Sequence, residues 1–157
     1  MKKITIRAIG RSTEPWQREG VDMYVDRLKP FVKLEIIELP EGHQGSPKPD
    51  LIKTRAREAA ALLKGCPEGS WIVALDEKGT ELASSALPSA LVTWASGGRE
   101  IVFLIGGSWG LDPAVRSRAD TVLSLGKLTL PHGLARIVLL EQLYRAAMIR
   151  SGKTYHK

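Results

Sequence analysis

A chain of 157 residues, 43% hydrophobic and 25% charged, suits one globular domain with its own core and is too evenly mixed for a disordered or fibrous protein. A lone cysteine, Cys66, excludes an intrachain disulfide, and no Cys/His cluster has zinc-ligand spacing. No apolar run nears the ~20 residues of a bilayer span, so a reducing cytoplasm, with no membrane and no metal, is the expected setting. The formal charge of +6, from 23 Lys and Arg against 17 Asp and Glu, favours a polyanionic partner. Lys2–Ile9 alternates apolar with polar and predicts a strand ending at Gly10. Thr13 or Glu14, then Pro15, open a helix carrying Val21, Tyr24, Val25 and Leu28 at helical spacing, and Pro30 stops it. Lys33–Leu39 is the second predicted strand. Pro40–Pro49, with Gly42, Gly45, Ser46 and Pro47, predicts a mobile loop. Asp50 caps a helix through Leu63, closed by Gly65 and Pro67.

The next elements are of a different kind. Trp71–Leu75 and Ile101–Ile105 are short continuous apolar runs, the pattern of strands covered by helices on both faces, and Thr121–Leu125 is a third. Between the first two, Ser85 caps a predicted helix through Trp94, ended by Gly97 and Gly98. Leu134–Arg150 carries an apolar stripe of Leu139, Leu143, Ala146 and Ala147, with Gly152 just past its end. Strands alternating with helices define an α/β domain, single over residues 1–157, with a mainly parallel sheet flanked by helices.

In such sheets ligands bind beyond the carboxyl ends of the strands. Three loops fall there: Leu75–Gly79, Gly106–Leu111 and Gly126–His132. Gly106–Gly110 would let backbone approach a flat ligand closely, or is simply a tight turn. Neither a dinucleotide G-x-G-x-x-G nor a Walker phosphate loop is present. Asp76 is a turn residue or holds a ligand hydroxyl. His132, after Pro131, caps the last helix or contacts a ligand. Glu141 and Arg145, four apart on that helix, form a surface pair, or Arg145 points at RNA. From Tyr144 onward Arg145, Arg150, Lys153 and Lys157 occur without an acid, and Tyr155-His156-Lys157 is either a polar tail or a handle that stacks on bases and meets phosphates.

Taken together, Leu75-Asp76 with Gly79, Phe103 to Gly107 with Gly110-Leu111, Leu123 to Leu125, Leu128 to His132, Leu134, Arg136, Glu141 to Ala146 and Tyr155-His156 resemble the ribosomal RNA large subunit methyltransferase H family, of the SPOUT class, over the whole length. The resemblance implies a homodimer with a C-terminal trefoil knot at the cofactor site. It also implies an enzyme dependent on S-adenosylmethionine that methylates N3 of pseudouridine 1915, in helix 69 of 23S ribosomal RNA, on the assembled ribosome. By the same resemblance the cofactor lies against Leu75, Gly106, Gly107 and the segment Leu125, Gly126, Lys127, Leu128, Thr129 and Leu130, with any Lys127 contact made through its backbone.

The implied chemistry assigns roles to the tail. A methyl on a sulfonium is already activated, so alignment and exclusion of water are the main tasks. N3 must lose its imide proton, which a positive field from Arg145 favours. His156 is the candidate acceptor and Tyr155 the stacking or positioning group. A terminus with such a role needs a holder, expected to be a partner subunit or the RNA, so that each site draws on two chains. Two other readings are a non-catalytic ribosome-binding or assembly factor and a SPOUT methyltransferase acting on transfer RNA.

Overall fold

A computed structural model describes residues 3–43 and 45–157. Five strands, β1 (Lys3–Ile9), β2 (Lys33–Leu39), β3 (Trp71–Glu81), β4 (Ile101–Ile105) and β5 (Thr121–Ser124), form one sheet in the order β2-β1-β4-β3-β5. All four pairings are parallel. The helices are α1 (Pro15–Leu28), α2 (Leu51–Lys64), α3 (Leu87–Trp94), α4 (Pro113–Arg118) and α5 (His132–Arg150). Lys2, which the alternation places in the first strand, lies outside the described residues.

The period-2 alternation of side chains sorts the core into two layers. Ile4, Ile6 and Ala8 of β1 and Ile101, Phe103 and Ile105 of β4 face one way. They bury Leu28 of α1, Leu91 and Trp94 of α3, and Leu139, Leu140 and Leu143 of α5. Ile9, Ile72, Ala74, Val102 and Leu104 face the other way, against Ala59 and Leu62 of α2 and Val115 of α4. Every residue of β4 is buried, as a strand sandwiched between helices requires.

Two buried guanidiniums tie this frame together. Arg7 points from β1 to the end of α2, where Nε and Nη2 donate to the carbonyls of Leu62 (2.8 Å) and Ala61 (2.9 Å), satisfying oxygens that a helix C-terminus leaves unpaired. Arg136, 1% exposed, reaches from α5 to the carboxyl ends of β1 and β2. Its Nη1 donates to Glu38 Oε2 (2.8 Å) and Ser12 Oγ (3.0 Å), and its Nη2 to the Gly10 carbonyl (3.0 Å).

Several local readings are corrected. The chain forms the extra six-residue helix α4, opened by Asp112, whose carboxylate accepts the Ala114 N–H at 2.8 Å, and by Pro113. β3 does not end at Leu75: after a register shift between Leu75 and Thr80 it meets β5 again, so Leu75–Gly79 is a bulged part of the strand. Gly79 is required there, since a Cβ would lie 2.6 Å from the Val122 carbonyl oxygen. Ser85 is not the cap of α3; Ala86 holds that position, and Ser84 instead donates to Gln142. Neither Thr13 nor Glu14 caps α1 through its side chain, so Pro15 alone marks its start. α5 opens at His132 rather than Leu134, with Pro131 at its cap position, and His132 does not cap it. Part of Pro40–Pro49 is pinned to α2: Gly42 N–H donates to Glu58 and Arg57 donates to the Gly42 carbonyl.

Candidate active site

The carboxyl ends of β3, β4 and β5 open into a cleft of about 850 Å³, within the range of small-molecule sites. Its walls come from Leu75–Lys78, Ile105–Leu111, and the run from Leu125 through Gly126 and Leu128 to His132. Each stretch follows or interrupts a strand, so the parallel sheet alone brings together residues some thirty apart in sequence. Of the nine residues expected to meet a cofactor, eight line the cleft: Leu75, Gly106, Gly107, Leu125, Gly126, Leu128, Thr129 and Leu130. Lys127 is not among the lining residues.

The cleft is shaped by missing side chains. A Cβ on Gly106 would stand 2.9 Å from Leu111 Cδ2, and Gly110 and Gly126 have φ of +80° and +129°, where L side chains are strained. Polar contacts brace the loops. Asp76 accepts from Lys78 N–H (2.8 Å) and from Arg116 Nη1 (2.9 Å), which also donates to the Leu111 carbonyl (3.1 Å). Asp76 is therefore a loop brace linking β3 to α4. Thr129 donates to Glu77 (2.9 Å) across the mouth, where Leu128 and Trp109 are exposed.

Apolar walls from five leucines, with backbone groups exposed by glycine, fit an adenosine-bearing cofactor.

The tail forms a second cluster. Arg145 Nη2 donates to Glu141 Oε1 (2.6 Å), Tyr155 Oη donates to the same oxygen (3.2 Å), and Arg145 Nη1 lies 3.3 Å from His156 Nδ1. A guanidinium only donates, so His156 Nδ1 accepts. The Tyr155 ring meets Tyr144 edge-on at 5.0 Å, and Arg145 lies 4.9 Å from its centroid. Burial, then the Glu141 charge, pushes the Tyr155 phenol up to about 12. The Glu141 hydrogen bond raises Arg145 and keeps it charged. Within one chain, α5 already gives the tail contacts of its own.

Tail and cleft do not meet. None of Arg145, Tyr155 and His156 lines the cleft, which touches α5 only at His132 and Ala135. From His132 to Arg145 the helix advances about 20 Å at 1.5 Å per residue. Sequence reasoning missed Arg55 and Arg116 in the cleft; Arg55 sits on α2, far from every glycine loop, and no local pattern marks it. His132, ambiguous in sequence, lies in the cleft wall.

This sheet and its glycine-built cleft are those of a methyl-transfer enzyme class: the family model described as "Predicted SPOUT methyltransferase" matches residues 1–156, and the chain belongs to that family. Its curated relatives sharpen the picture. The chain is similar to the ribosomal RNA large subunit methyltransferase H of Burkholderia ambifaria (39% identity over 156 residues) and of Ralstonia pickettii (39% over 156), covering 99% of both chains in each case. A Methanoregula boonei protein that carries the same name provisionally is 42% identical over 160 residues, again with 99% of both chains covered. Among solved structures, one described as a probable rRNA-methyltransferase from Porphyromonas gingivalis superposes with a TM-score of 0.54 at 14% identity. That match covers 95% of this chain and 69% of the other, and supports the fold.

Proposed function

We propose that this protein is an S-adenosylmethionine-dependent methyltransferase of large-subunit ribosomal RNA, acting in the cytoplasm as a homodimer on N3 of pseudouridine 1915 in helix 69 of the assembled ribosome. The observation that carries the cofactor part is the cleft lined by Leu75, Gly106, Gly107 and most of Leu125–Leu130. The names of its relatives support the RNA target.

S-adenosylmethionine supplies a methyl group on a sulfonium, activated toward a nitrogen nucleophile. The glycine turns and leucine walls hold and orient that donor and keep water out. At the other pole, Arg145 and His156 handle the proton. In the free chain Arg145 occupies His156 Nδ1. When an RNA phosphate draws the guanidinium away, Nδ1 is released to accept the N3 proton, which leaves N3 as the nucleophile that would take the methyl as its bond to the donor's sulfonium breaks and a neutral thioether leaves. Tyr155, held on Glu141, stacks on or positions the base.

The separation of about 20 Å along α5 supports the reading that these poles come from different chains. A 1:1 mixture of a Gly106→Val chain, in which the cleft is filled, with a His156→Ala chain tests it. Each homodimer is inactive, and reassorted heterodimers keep one intact site of two, which returns about a quarter of wild-type activity. Labelled cofactor and ribosomes lacking the mark give the readout. No recovery sinks the shared site, and no labelling by the wild-type enzyme sinks the reaction.

A further inference from the structure

The second turn of α2 carries two oppositely charged side chains that do not neutralise each other. Glu58 is 3% exposed; its Oε1 accepts the Gly42 N–H at 3.1 Å, while its Oε2 is buried without a hydrogen-bond partner among the described residues. Among those residues no lysine or arginine pairs with it. Its carboxylate lies against Gly107, where a Cβ would stand 3.1 and 3.2 Å from the two oxygens. Three residues earlier, on the same side of the helix, Arg55 lines the cleft with its own Nε buried and unpartnered. Burying Glu58 Oε2 and Arg55 Nε without partners is costly, and a ligand carrying both signs would meet both needs.

The space for that ligand is present. Next to the cleft, across Ser108 and Trp109, which border both spaces, lies a hollow of about 320 Å³ lined by Glu41, His43 and Glu58 among others, so that Arg55 edges the cleft and Glu58 the hollow on either side of that wall. Glu41 and His43 are bonded to each other, which leaves Glu58 as the unsatisfied acid of the hollow.

We propose that Arg55 and Glu58 recognise the α-amino-acid end of the donor, Arg55 through its carboxylate and Glu58 through its ammonium. This rests on the S-adenosylmethionine reading above and assigns to α2 a part in cofactor selection that the glycine loops do not supply. The loops hold an uncharged nucleoside; α2 distinguishes a nucleoside bearing a zwitterion from one without.

Calorimetric titration with S-adenosylhomocysteine, which has the amino-acid end and no sulfonium charge, and with methylthioadenosine, which lacks that end, tests this. Wild-type protein should prefer the former. Arg55→Gln and Glu58→Gln should each cut the preference about tenfold, with methylthioadenosine affinity held within about twofold. An unchanged preference, or a parallel fall for both compounds, overturns the assignment. Arg55 is partly exposed, so its variant decides the matter even if Glu58→Gln fails to fold. Wild-type protein that binds neither compound nor S-adenosylmethionine would instead overturn the cofactor reading.

Discussion

The two ends of α5 are built on opposite plans. At its N-terminal end the cleft is made mostly of backbone and leucine, and its shape comes from side chains that are absent at Gly106, Gly107 and Gly126. At its C-terminal end, Glu141, Arg145, Tyr155 and His156 form a linked set of polar side chains on one helix face and a returning tail. A cofactor with a large flat base needs shape, which rigid backbone supplies. A substrate that must surrender a proton needs titratable groups that can exchange partners, which a tail supplies.

Damage at one end is expected to leave the other intact. The largest effect is expected from His156→Ala, which should slow turnover by about 10² to 10⁴ while S-adenosylmethionine affinity, measured by calorimetry, stays within about twofold. Equal losses in both would break the comparison. Next comes the strut from α5 to the carboxyl ends of β1 and β2. Arg136→Ala leaves Glu38 and the Gly10 carbonyl without their guanidinium and should cost about 3 kcal/mol in denaturant unfolding, lowering both functions through stability alone.

The smallest effect sharpens the picture of the tail. The Tyr155 phenol lies at about 12 when docked against 10.0 when free, so the docked state favours the protonated form. Its contribution is complete below pH 10, declines as pH rises, and is lost as pH passes about 12. Ultraviolet titration of wild type minus Tyr155→Phe should show one phenol ionising near the upper value. A midpoint near 10 would mean the tail is undocked in solution.

Legibility differed between these ends for a physical reason. Gly106-Gly107 alone reads as a tight turn or a close-approach loop, and with Leu128 to His132 it stands out only through the family resemblance. The bulge in β3 was not legible, because Leu75–Gly79 reads as a turn until pairing with β5 draws it back into the sheet. Helix α4 is not legible although Asp112-Pro113 is a serviceable start signal, since six residues give too short a stripe to detect. Arg55 and Glu58 lie in an ordinary amphipathic helix, where charges read as solvent-facing; their significance comes from what the fold places opposite them.

By itself the amino-acid order determined the alternation of strands and helices, the parallel character of the sheet, and the glycine-bearing loops at its carboxyl edge. Those depend on interactions within about a dozen residues, where apolar period and backbone freedom decide. Only the tertiary structure decided that β1 and β4 lie side by side at the centre, that Arg136 spans to Glu38 across 98 positions, and that the tail docks away from its own cleft. Strand order and helix length set these distances, and neither is written in any short stretch of chain.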